Sequence, residues 1–403
     1  MFTVATTESE PLSYPFNRTD TLDLDQRYAD LRDDEPMVRV NMPHGETAWL
    51  ATRYADARLV LGDARFSRVL PTGHDEPRMS PEPGPGGILA MDPPEQTRVR
   101  RLGTKAFTQR GVEALRPKAI EVANRLVDHL IELGSPADLV ENFAVPLPVT
   151  MICTLLGVPV EDQHLFREWS EAFLSASGLT PEQTVDYQVK LWGYMAKLLQ
   201  ERKVEPREDL LSGLAMARDN DDRFSEEEIL QFAAGLLAAG HETTTSQIPN
   251  FVATLIEHPD ELARLRAQPE LVAQAVEELM RFVPLGVGAA FPRYAREDIE
   301  VGGVLVKKGE AVLASLGSAN RDDREFKDAD TLDLTRPVSP HLGFSHGAHH
   351  CLGAPLARME LQVALTTLVG RLPGLRLAVP AEQLRWKQHS FMRSIIEMPI
   401  SWD

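Results

Sequence analysis

Cysteine is almost absent: the 403 residues hold two, Cys153 and Cys351, far apart in the chain. That excludes a disulfide framework and any Cys-x-x-Cys redox or metal motif, and it points to a reducing compartment, expected to be the cytoplasm. Long apolar runs are missing too. No stretch approaches the ~20 residues of a membrane span, and Met1 to Asp25 is polar and acidic, so no membrane anchor is expected. Basic charge is in deficit, with 42 Lys and Arg against 60 Asp and Glu. The net charge of −18 argues against nucleic acid and anionic membrane as partners. Repeats and low-complexity tracts are also lacking.

What remains is an ordinary globular balance, 43% apolar and 25% charged, enough for a large core and a cofactor cavity. Nothing in the middle reads as a linker. Residues 1–403 are therefore expected to form one domain, with a short flexible N-terminal segment over about residues 1–20.

From Met37 to Thr52, alternation around His44-Gly45 predicts a hairpin. Ile299 to Val306 alternates about Gly302-Gly303 and predicts a second, with Ala311 to Leu316 as its partner strand. Elsewhere the period is helical, as in Leu361, Leu365, Leu368 and Leu372, so the fold class is mainly α with small β-sheets. Pro71 to Gly87 holds five prolines and four glycines, too many for a helix, and reads as an active-site lid.

Ser225 and Glu228 have the spacing of a capping box, and the residues from Leu230 to Gly240 are apolar on nearly every side, which predicts a buried helix. The run Ala239-Gly-His-Glu-Thr-Thr-Thr245 breaks its pattern. It brings a glycine that costs ~1 kcal/mol relative to alanine, a carboxylate, and hydroxyls able to bond back to carbonyls. Such conflict inside a good helix marks a functional site. Pro249 is expected to kink the helix rather than end it, because apolar periodicity resumes at Phe251.

Phe344-Ser-His-Gly-Ala-His-His-Cys-Leu-Gly353 sets Cys351 between two glycines ahead of a helix-forming run. Gly347 allows a tight backbone bulge under the sulfur, Gly353 lets the next helix start close to it, and Phe344 can cover its side. Amides at a helix N-terminus favour a thiolate ligand. His346, His349, His350 and Cys351 could instead hold zinc, although paired ligands at recurring intervals are lacking. Cys153, in an apolar run, reads as an ordinary buried thiol.

The spacing Phe-x-x-Gly-x-His-x-Cys-x-Gly resembles the haem-binding loop of the cytochrome P450 superfamily, the haem-thiolate monooxygenases, and the whole chain is similar to soluble bacterial members of secondary metabolism. The resemblance implies haem b with Cys351 as its iron ligand. Gly240, Glu242 and Thr243 match the family's distal-helix motif, where the acid and hydroxyl deliver protons. The plainer alternative is that Thr243 only back-bonds to a carbonyl and Glu242 makes a surface or helix-pair salt bridge. Asp92 to Arg101 resembles the propionate-binding segment, with Arg100 as donor and Gln96 in place of a histidine. Arg293, His349, Phe344 and Gly353 complete the cofactor set. Glu278 and Arg281 match a structural Glu-x-x-Arg pair, for which Arg336 is a candidate third partner.

By the same resemblance, the substrate wall would comprise Ile88, Leu89, Phe173, Leu236, Ala239, Val287, Ala289, Phe391 and Met392. The implied activity is hydroxylation or epoxidation of an apolar polyketide or macrolide, terpenoid or steroid-like molecule with O₂. The chain has no flavin or iron–sulfur motif, so electrons are expected from a ferredoxin and its reductase, docking on a basic patch of Arg98, Arg101, Lys105 and Arg110. A monomer is expected. A haem sensor or carrier would share Cys351 without needing Glu242 and Thr243.

Overall fold

The computed structural model describes residues 10–81, 86–104, 107–162, 164–166, 169, 180–216, 218–219, 222–223, 225–388 and 390–403. Phe173 and Lys105 lie outside the described residues.

Six helices frame the site: α1 (Glu95–Thr104), α2 (Gln109–Leu133), α3 (Pro146–Leu156), α4 (Glu226–Glu257), α5 (Val272–Phe282) and α6 (Ala354–Arg371). Helix α4 starts as the sequence dictates. The Ser225 hydroxyl accepts from the Glu228 amide, the Glu228 carboxylate accepts from the Ser225 amide, and three glutamates occupy the first turn, where the helix dipole favours them. The helix continues across Pro249 to Glu257, with most of its side chains buried. Its middle packs on α3 and α6, burying Phe143, Ile152, Phe251 and Leu365 in the largest apolar cluster. Cys153 belongs to that cluster; burial pushes its thiol up to about 12, so it is inert.

A six-stranded sheet flanks the helices. Its strands are β1 (Leu12–Ser13), β2 (Met37–Asn41), β3 (Ala48–Ala51), β4 (Phe66–Ser67), β5 (Arg293–Ala295) and β6 (Ala311–Ala314), in the order β1-β2-β3-β6-β5-β4. The β2–β3 hairpin is antiparallel with Val38 opposite Leu50, as alternation predicts. Ile299–Val301 and Val304–Val306 also form the expected hairpin. Ala311–Ala314 does not join it. It pairs parallel with β3, Leu313 opposite Leu50, and antiparallel with β5, non-local partners that alternation cannot reveal. A two-stranded unit, β7 (Arg385–Trp386) with β8 (Ile395–Glu397), lies near the C-terminus.

Two sequence expectations need correcting. The N-terminal segment is not flexible through residue 20. Tyr14 and Phe16 are 2% and 4% exposed, in a cluster with Tyr28, Leu50 and Leu313, and the Tyr14 hydroxyl accepts from the Ala289 amide at 2.5 Å. The proline-rich stretch is also tied down near its middle: the Arg78 amide donates to the His44 carbonyl at 2.9 Å, and the His44 amide to the Arg78 carbonyl at 3.2 Å. Gly45, at φ 89°, leaves room for this, since a Cβ there would meet the Glu76 carbonyl. Residues 82–85 of that stretch lie outside the described residues.

Candidate functional site

Cys351 sits just ahead of α6. Its amide donates to the Phe344 carbonyl at 2.9 Å, closing the loop on itself. Gly347, at φ 71°, makes the bulge possible, because a Cβ there would stand 2.5 Å from the Leu61 carbonyl oxygen. Gly353 has φ −80°, which any residue tolerates, and a Cβ there would meet the Cys351 sulfur only at an ordinary 4.0 Å. Cys351 is exposed, in contrast to the fully buried Cys153. Burial pushes the thiol up, while the Gly353 and Ala354 amides and the Arg100 and Arg358 cations pull it down without winning. Phe344 is buried and carries the Arg358 guanidinium 4.4 Å above its ring. Among the described residues, no group of three or more His, Cys, Asp or Glu could hold a metal ion, so His346, His349, His350 and Cys351 do not converge as the zinc reading requires.

Cations gather beside this loop. Arg293, 5% exposed, hydrogen-bonds through Nη1 to the Phe291 carbonyl at 3.0 Å. Burial and the neighbouring Arg68 pull its guanidinium down to about 9, so it remains a cation at neutral pH. Arg68, 6% exposed, donates to the Leu89 carbonyl at 2.8 Å and to the Pro292 carbonyl. Asp92 is already engaged by Ser67, the Arg68 amide and Arg296, and Glu76 stands 3.9 Å from Arg68. Arg100 reaches the His350 carbonyl at 2.6 Å, and Gln96, fully buried, donates to the Ala348 carbonyl at 2.7 Å. Burial and the Arg293 and Arg68 charges hold the His349 imidazole down at about 4. Arg68 escaped the sequence reading because nothing adjacent to it in the chain carries a signal.

On α4, the Thr243 hydroxyl donates to the Ala239 carbonyl at 2.8 Å, and Glu242 accepts from Lys387 at 2.6 Å. The first is the back-bond of the plainer reading; the second is a salt bridge, but one largely out of water and to a lysine just after β7 rather than at the surface or between helices. At Gly240 a Cβ would press on Ile152 of α3 at 3.0 Å, so the glycine allows close helix packing. Glu278 and Arg281, 4% and 1% exposed, form a two-pronged pair at 2.7 and 2.8 Å, and Arg336 adds a third contact to Glu278 at 3.1 Å.

The proposed wall divides. Ala239 is exposed, Leu89 is 40% exposed, and Ile88, Leu236 and Phe391 are half-buried. Val287 and Met392 are buried, and Ala289 is buried in the Tyr14–Phe16 cluster. Phe291, missed from sequence, stands 43% exposed at φ 60° and packs edge-on against Phe391 with ring centroids 6.3 Å apart. An L-residue at positive φ leaves no mark in composition or period.

Residues 22–374 match the family model described as Cytochrome P450. The mycinamicin IV hydroxylase/epoxidase of Micromonospora griseorubida is 53% identical over 98% of this chain and 100% of its own length. The nocardicin C N-oxygenase of Nocardia uniformis subsp. tsuyamanensis is 51% identical over the same shares. A solved structure of the mixed-function P450 MycG superposes with a TM-score of 0.94 at 53% identity, covering 98% of this chain and all of that one. A cysteine at the mouth of a helix, a nest of buried cations beside it and a family match across most of the sequence agree: the chain belongs to the cytochrome P450 family, haem-thiolate monooxygenases whose cofactor is haem b.

Proposed function

We propose that this enzyme hydroxylates or epoxidises a macrolide-like or similarly bulky apolar product of secondary metabolism, drawing electrons from a ferredoxin and its reductase, as a monomeric, one-domain cytoplasmic protein. The observation that carries the site assignment is the burial of Arg293 and Arg68 side by side, with Asp92 held by Ser67, the Arg68 amide and Arg296, and Glu76 no nearer to Arg68 than 3.9 Å. Two buried guanidinium groups with so little carboxylate beside them are costly in a low-dielectric site and suit a dianion, which fits the two haem propionates. Arg293, Arg68, Arg100 and His349 would hold those carboxylates, and Cys351 would be the iron ligand. When bound, the haem supplies the iron at which O₂ is activated.

The chain's own work is to exclude water and to manage protons. Phe344 and the Gly353 and Ala354 amides shield and polarise the Cys351 sulfur. Thr243 Oγ1 and the Glu242 carboxyl would carry protons toward the distal side, a role typically worth ~10² to 10⁴ in rate. Phe291, Phe391, Leu89 and Leu236 offer an apolar wall, which supports a large apolar guest. The relatives' names supply the macrolide suggestion and do not choose among hydroxylation, epoxidation and N-oxygenation. The two unpaired cysteines support a reducing compartment.

The test is a panel of macrolides, terpenoids and steroids screened by the shift of the resting haem band, followed by product analysis with a surrogate ferredoxin. Thr243→Ala should divert electrons from product to peroxide. Unchanged coupling in that variant would favour a haem carrier or sensor.

A further inference from the structure

The loop between α5 and β5 carries Phe291 of the proposed wall, and across residues 284–292 its only regular pairing is a single bridge between Gly286 and Met392. Its backbone donors and acceptors must therefore find partners on other segments. One set of partners lies in the loop between β7 and β8. The Val287 amide donates to the Phe391 carbonyl and the Arg393 amide to the Leu285 carbonyl, both at 2.8 Å. The other set lies in the N-terminal segment, 270 and 275 residues away in the chain: Asn17 Nδ2 donates to the Val287 carbonyl at 2.5 Å, and the Tyr14 hydroxyl accepts from the Ala289 amide at 2.5 Å.

Both N-terminal side chains are built in. Asn17, 8% exposed, accepts from the Asp25 amide through Oδ1 at 2.9 Å, which fixes the carboxamide so that Nδ2 faces Val287. Tyr14 is buried, and its segment runs so close to the loop that a Cβ on Gly288 would stand 2.8 Å from Pro15 Cβ and 3.0 Å from the Tyr14 hydroxyl. Arg393, fully buried, closes the junction by donating to the Leu22 and Asp23 carbonyls at 2.8 Å each. Three segments distant in sequence thus hold one another.

Phe291 is where this matters. At φ 60° it occupies a backbone region that costs an L-residue energy and persists only when its surroundings determine it. Its carbonyl is fixed by Arg293 at 3.0 Å, and two residues back the chain is anchored at Ala289. Its ring packs edge-on against Phe391, whose own carbonyl holds the Val287 amide.

We propose that Tyr14 and Asn17 are positioning residues for substrate selection: from the N-terminal segment they pin the α5–β5 loop, and with it Phe291 against Phe391, so that a bulky apolar guest meets a wall already set. This rests on the reading of Phe291 and Phe391 as the substrate wall. A loop ordered beforehand spares a large guest the cost of ordering it on binding. A small ligand that reaches only the haem iron gains nothing from it.

The test titrates haem-loaded enzyme, in the haem band, with imidazole, too small to need the wall, and with clotrimazole, a bulky triaryl imidazole. Tyr14→Phe removes one hydroxyl and keeps the ring; it should weaken clotrimazole about tenfold and leave imidazole unchanged. Asn17→Asp should do the same at about pH 8, where the carboxylate still accepts from Asp25 but cannot donate to Val287. Should one variant fold poorly, the other carries the test. Amide hydrogen exchange of the same loaded proteins should quicken in residues 285–292 and not in α4. Lower resistance to urea with an unchanged ratio of the two affinities, or equal weakening of both ligands, overturns the proposal. Phe291→Ala tells this failure from that of the wall itself. If it alters clotrimazole binding while neither N-terminal variant does, the positioning role falls and the wall stands; if all three leave clotrimazole unchanged, the wall reading falls as well.

Discussion

Arg293 is a cation where a cation is costly, and its sign makes a test. In the haem-free protein, Arg293→Leu removes a buried charge from beside Arg68, so the variant should be as stable as wild type or more so by about 1 kcal/mol, read from urea melts. In the haem-loaded protein the same change should speed haem loss to an acceptor globin at least about tenfold, because a charge-assisted bond is gone. A variant that destabilises the haem-free protein while leaving haem loss unchanged would show that Arg293 is structural. At this scale the sequence was a good guide where chemistry is local. Cys351 with its glycine at 347, and Arg100 one turn after Gln96, are spacings on a single segment. Arg68, Phe291 and Lys387 were not legible, because each depends on a backbone angle or on a distant segment arriving beside it.

Glu277 ties helix to helix. It accepts from Arg358 of α6 at 2.6 and 2.8 Å and pairs with His341 at 3.1 Å. Burial alone would raise its carboxyl, but the His341 and Arg358 contacts outweigh burial and hold it at about 2, against an ordinary 4.5. A carboxyl with a depressed folded pKa stabilises the fold fully above its unfolded value and progressively less as pH falls toward the folded one. Between about pH 5 and about pH 3, wild type should lose on the order of 2 kcal/mol that Glu277→Gln does not, measured by urea unfolding across that range. Ser225→Ala, removing the cap of α4, should cost about 1 kcal/mol with the haem spectrum unchanged. Element identity was legible where pattern is strong: the α4 cap, and both hairpins. The partner of β6 was misjudged, since parallel pairing across more than two hundred residues has no local signature, and the packing of Gly240 on Ile152 shows only when α3 arrives beside α4.

For the whole molecule, the acidic balance sets the condition under which an acidic electron donor can approach. The expected basic patch is thinner than the sequence implied: Arg98 is committed to Glu95 and Glu228, while Arg101 and Arg110 are exposed. Reduction by a ferredoxin should slow as salt rises, and Arg110→Ala should flatten that dependence. A rate indifferent to ionic strength would place the donor elsewhere. The central claim, however, is that Cys351 is the thiolate ligand of a haem. It is tested most directly by the spectrum of the reduced carbon monoxide complex of wild type and Cys351→His. The account predicts the strongly red-shifted haem band of a thiolate-bound complex in wild type, replaced in Cys351→His by the shorter-wavelength band of histidine ligation. A wild-type spectrum already of the histidine kind, or a red-shifted band that persists in Cys351→His, would contradict it.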